Sequence, residues 1–121
     1  MKIVCCFLLL NLFVSTYAQA KPGCASQDSA VSGTCVKVDD KIVISNPSML
    51  VGNTRYNVEA DNDSADALCQ MFGASSADGF TKFDIVDAQG NAQKADLASL
   101  FDGKFYSLDS ACAYISTVSC N

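Results

Sequence analysis

The chain has 121 residues, 50% of them hydrophobic, with 8 basic and 13 acidic side chains, seven cysteines and no histidine. The missing histidines exclude Ser-His-Asp and Cys-His catalysis, His-ligated zinc and His-based pH switching within this chain. The acidic balance disfavours nucleic acid and anionic membrane surfaces as partners, since both select for basic patches.

Met1–Ala20 reads as a secretory signal peptide. Lys2 supplies the positive start, Ile3–Val14 an apolar stretch broken only by Asn11, and Ala18-Gln19-Ala20 a small-x-small cleavage signal. The apolar stretch falls short of the roughly 20 residues that a membrane-spanning helix needs. Cys5 and Cys6 leave with the leader. Removing 20 residues from 121 leaves a single domain of 101, residues 21–121, enough to carry a core. Without Lys2 its net charge is about −6, from seven basic and 13 acidic groups. The expected location is secreted, extracellular or periplasmic.

Lys21–Gly33 begins as a loop. Thr34–Val38 and Ile42–Ser45 read as a β-hairpin. No glycine supplies the positive φ of a two-residue turn, so a three-residue loop, Asp39-Asp40-Lys41, is expected. It would pair Val38 with Ile42 and Val36 with Ile44, with all four on one face. Pro47 is expected to end that strand, and Gly52-Asn53 to turn the chain. Thr54–Glu59 alternates, with Tyr56 and Val58 inward.

The clearest helix follows, capped by Asp63 or Ser64. Ala65, Leu68, Cys69 and Phe72 share one face, and Gly73 stands at the C-terminal cap. Its Leu68-Cys69 and Phe72-Gly73 resemble, over the nine residues Ala65–Gly73, the cysteine-bearing helix of scavenger-receptor cysteine-rich domains. The tryptophans and cysteine spacing of that family are absent, so the likeness implies no further property. Phe80–Asp87 reads as a central strand, Leu97–Phe101 as a helical turn capped by Asp96, and Lys104–Leu108 as a short strand. Asp109 is expected to cap a last helix reaching Val118, with Ala111, Ile115 and Val118 on its buried stripe. The fold class that follows is α+β: a small antiparallel sheet of four to five strands packed by two short helices and reinforced by disulfides.

Five cysteines remain in the domain, and an oxidising compartment allows them at most two internal bridges. Fifteen arrangements exist in principle. Proximity along the chain suggests Cys24 with Cys35 and Cys112 with Cys120, leaving Cys69 as a buried spare thiol; a Cys69–Cys112 bridge is the rival. A spare thiol leaves a monomer or a disulfide-linked dimer open.

No catalytic, cofactor or metal site is expected. There is no C-x-x-C pair, and Asp61–Phe72 fails as a calcium loop because Asp66 stands where glycine belongs and Phe72 where a bidentate acid belongs. Asp84 and Asp87 could pair for glycoside hydrolysis but fit a solvated strand end and turn better. Asn62-Asp63-Ser64 is the one usable N-glycosylation sequon, since Pro47 spoils Asn46-Pro47-Ser48. The sequence thus points to a non-catalytic domain that binds a protein or cell-surface partner. The alternatives are a secreted inhibitor or effector presenting a loop such as Asn46–Asn53, and a small His-independent hydrolase using Asp84, Asp87 or Tyr56.

Overall fold

A computed structural model of the chain describes residues 24–101 and 105–121; the leader expected over Met1–Ala20 lies outside them. Among the described residues, the elements are β1 (Val31–Val38), β2 (Lys41–Val51), β3 (Thr54–Asn57), α1 (Asn62–Met71), β4 (Ala77–Asp84), β5 (Ala95–Phe101), β6 (Phe105–Ala111) and β7 (Ala113–Cys120). The main sheet is antiparallel in the order β1-β2-β7-β4, with β3 paired to the second half of β2. β5 and β6 make a second, two-stranded sheet.

A bend in β2 determines how the two sheets meet. Ile42–Ser45 pairs with Thr117–Cys120 of β7. Asn46 then takes a positive φ of 52°, Pro47 follows with no N–H to donate, and Ser48–Val51 pairs with β3 instead. The vacated edge of β7 is taken by Val58–Ala60. Ile115 N–H donates to the Val58 carbonyl at 2.8 Å, and Ala60 N–H to that of Ala113 at 3.1 Å. On its other side, Glu59 N–H donates to the Ala98 carbonyl at 2.8 Å and so anchors β5. Gly33 lies in the β1 bulge facing this bend, where a Cβ would come within 3.0 Å of Ile44 Cγ2 and 3.3 Å of Pro47 Cα. Only glycine fits there without displacing its neighbours.

The core gathers Ile44 from β2, Val58, Leu68 from α1, Leu100 from β5, and Ile115 and Val118 from β7, all fully buried. Helix α1 forms as its amphipathic pattern requires. Ala65, Leu68, Cys69 and Phe72 are buried, and Gly73 adopts φ 92° just past the end. The cap is Asp61, whose carboxylate accepts from Ser64 N–H at 2.7 Å, rather than Asp63 or Ser64.

Several expectations are corrected. The fold is sheet-rich with one helix among the described residues, not α+β with two. The last segment is strand β7, because Ile115 and Val118 share a face by way of a bulge. Lys82 pairs with Ile115 and Thr81 with Thr117, so Ser116 is the extra residue and a strand acquires a helix-like spacing of three. The expected turn at Leu97–Phe101 is β5, in which Leu97 and Leu100 are buried on opposite faces. The first hairpin closes through two residues, pairing Val38 with Lys41, because Asp39 itself takes φ 58°. Ile42 and Ile44 are buried while Val36 and Val38 face solvent. β2 continues through Pro47, so most of Asn46–Asn53 is strand rather than a presented loop. The strand expected at the centre, now β4, lies at an edge with Phe83 exposed.

Among the described residues, the disulfides join Cys24 to Cys35 and Cys69 to Cys120, and Cys112 is the free thiol. This corrects both the Cys112–Cys120 pairing and the assignment of Cys69 as spare. Cys120 ends a strand under α1, where Cys69 points, whereas Cys112 sits half-buried between β6 and β7. The 51-residue separation of Cys69 and Cys120 restricts the unfolded chain more than the 11 residues between Cys24 and Cys35, by about 4 against about 3 kcal/mol of loop entropy. Urea unfolding of Cys69→Ala/Cys120→Ala should therefore show a larger loss than Cys24→Ala/Cys35→Ala. Alkylation of the unreduced, denatured domain Lys21–Asn121 should label Cys112 alone.

Candidate functional site

The second sheet presents an open edge and an exposed apolar strip. β5 is held from three directions. Ala98 accepts from Glu59 N–H, Leu100 N–H donates to the buried Ser64 hydroxyl at 3.0 Å, and the apolar face of β5 packs under α1. β6 pairs with β5 in an unbroken register from Ala95↔Ala111 to Phe101↔Phe105, and no second strand pairs with it among the described residues. Ala98 stands opposite Leu108 and Leu100 opposite Tyr106, so Tyr106 and Leu108 continue the core face beyond the cover of α1. They are 44% and 43% exposed.

On the opposite face of this hairpin, beside the buried Leu97, polar groups gather. Glu59, on the crossing segment, turns its carboxyl toward the Ser99 hydroxyl of β5 and Asp109 of β6. Its Oε1 is buried with no hydrogen-bond partner among the described residues. Burial pushes the Glu59 carboxyl above the usual glutamate value. The negative charges of Asp61 and Asp109 push it further, the hydrogen bond from Ser99 opposes this, and the one with Asp109 adds to it. Ser107 donates to Asp109 at 3.2 Å. A proton on Glu59 satisfies one carboxylate of the pair and relieves the repulsion between them.

The residues singled out in the sequence are dispersed. Cys24–Cys35 anchors the N-terminal loop to β1, while Cys69–Cys120 lies fully buried. Asn62 is exposed at the first turn of α1, but Ser64 of its sequon is buried. Asp84 pairs with Lys82 at 3.3 Å, Asp87 accepts from the N–H groups of Gln89 and Asn91, and Tyr56 packs half-buried against the core. Asp61 caps α1 and Asp66 accepts from Ala77 N–H at 2.8 Å, so two acids of the failed calcium loop serve the helix and its connection to β4. Sequence reasoning missed Glu59, Tyr106 and Leu108. The first reads as an outward strand residue, and the other two stood beside a segment taken as helix.

No family model, curated protein or solved structure matches the chain.

The raised Glu59 carboxyl sets a sign for pH. Between the ordinary glutamate value and the raised one the folded chain holds more protons than the unfolded chain, so this group's contribution to stability falls as pH rises through that window. Glu59→Gln, whose amide can donate to Asp109, should flatten this slope and be more stable than the parent at pH 7. Thermal unfolding followed across pH 4–8 measures both.

Proposed function

We propose that the chain acts as a secreted, non-catalytic domain that binds a protein or cell-surface partner. The observation that carries this reading is that large apolar side chains stand exposed on strands, Phe83 on β4 and Tyr106 and Leu108 on β6. Strands braced by two disulfides hold such side chains at a low entropic cost of binding. Phe83 also stacks on Tyr114 with ring centroids 5.2 Å apart, which fixes an aromatic platform at the β4 edge. Exposed aromatic and aliphatic groups of this kind are the anchors that protein interfaces use. The two disulfides fit an oxidising compartment, in keeping with the leader read in Met1–Ala20.

The oxidised domain Lys21–Asn121, labelled and applied to an array of extracellular proteins and to intact cells, should bind saturably to a protein ligand and be displaced by unlabelled domain. Absence of saturable binding would contradict the reading. So would a turnover by the purified protein that Asp84→Ala or Asp87→Ala abolishes without unfolding it.

A further inference from the structure

The free edges of this molecule are not alike. β1 carries a bulge between Ser32 and Thr34 and an exposed Lys37. β3 is only four residues long. β4 carries two register shifts and Lys82, ion-paired to Asp84. Bulges, shortness and lysines are the devices by which native sheets prevent unwanted strand addition. β6 has none of them. It is seven residues long, pairs without a register shift, and contains no lysine, arginine or proline.

The charge carried by β6 and its neighbouring elements also differs from that of the other edges. Asp63 and Asp66 on α1, Asp96 on β5 and Asp109 on β6 are accompanied by no basic residue in these three elements. Lys37, Lys41, Arg55 and Lys82 stand in the main sheet, where Lys41 and Lys82 are ion-paired to its own Asp78 and Asp84, and Lys94 immediately precedes β5. The connecting residues Asp102-Gly103-Lys104 add one charge of each sign.

Resting on the protein-binding reading above, we infer that β6 is a docking edge for an extended, basic segment of a partner protein, added as a further strand. Main-chain hydrogen bonds to the open edge would supply affinity, and alternate side chains specificity. On the α1 side, the added strand meets Tyr106 and Leu108 and calls for apolar residues. On the other side it meets Ser107 and Asp109 and calls for lysine or arginine. A second copy of this chain is the poorer occupant, because it would bring the same uncompensated acids to the shared sheet.

The probe is the peptide acetyl-Lys-Val-Lys-Val-Lys-Val-Lys-amide, with glutamate replacing every lysine as the control. Titrated into the ¹⁵N-labelled oxidised domain, the basic peptide should give saturable amide shifts centred on Tyr106–Ser110, and the acidic one none. Asp109→Asn and Leu108→Ser, both at exposed positions, should each weaken binding by up to about five-fold while the rest of the spectrum is preserved. Equal binding of the acidic peptide, shifts centred on β1 or β4, or no shifts would overturn the inference. So would a dimer that forms through β6 without peptide. If the array yields a protein ligand whose affinity both substitutions leave unchanged, the β6 inference fails while the proposed function stands.

Discussion

The fold depends on the way β7 divides one edge between two partners. A strand of eight residues has room for β2 along its whole length, yet Asn46 and Pro47 turn β2 away after Ser45. A buried strand edge left open would cost unsatisfied backbone groups, so another stretch of chain must complete it. Val58–Ala60 does so, and its other edge then receives β5. The disulfide from Cys69 to Cys120 fastens the same strand to α1. Gly33 permits the bend by bringing β1 close to Ile44 and Pro47 without a side chain. One kink in β2 thus fixes where the second sheet attaches and which of its edges faces out.

Much of this was legible locally, and little of it at long range. The amphipathic stripe and Gly73 specify α1, and Gly52-Asn53 and Gln89–Asn91 mark turns that the structure keeps. Tyr114, Ile115, Thr117 and Val118 are strand formers by type, but the bulge at Ser116 spaces the buried pair like a helix. At Leu97 and Leu100 a strand buried on both faces gives the same spacing for a different reason. The first hairpin deceived through apolar symmetry. Four β-branched residues on one face look like a core, yet Val36 and Val38 are exposed, because Cys35 pairs with Ile44 and that pair faces inward. Disulfide partners 51 residues apart could not be read from chain proximity, which favoured Cys112 over Cys69 for Cys120.

The candidate surface was hidden for related reasons. Glu59 matters only because the bend in β2 brings it between two strands, where its carboxyl loses water and meets Asp109. Tyr106 and Leu108 matter only because β6 is the last strand of its sheet. Asp63, Asp66, Asp96 and Asp109 stand on α1, β5 and β6 with no basic residue within these elements, a grouping visible only once residues far apart in sequence share a surface. The face that completes the core at Ala98 and Leu100 continues at Leu108 and Tyr106 into solvent, where a partner strand would extend it.

The central claim is that, among the described residues, β6 presents a regular, unguarded open edge, whereas the other free edges are bulged, short or carry lysine. Native-state hydrogen exchange on the oxidised domain tests it residue by residue. The account predicts that the amides of Glu59, Ile115 and Val118 exchange among the slowest. Along β6, amides directed at β5 should be protected, alternating with outward ones that exchange as exposed backbone does. Uniform protection along β6, equal to that of β7, would show that its outer edge is already covered and would contradict the account.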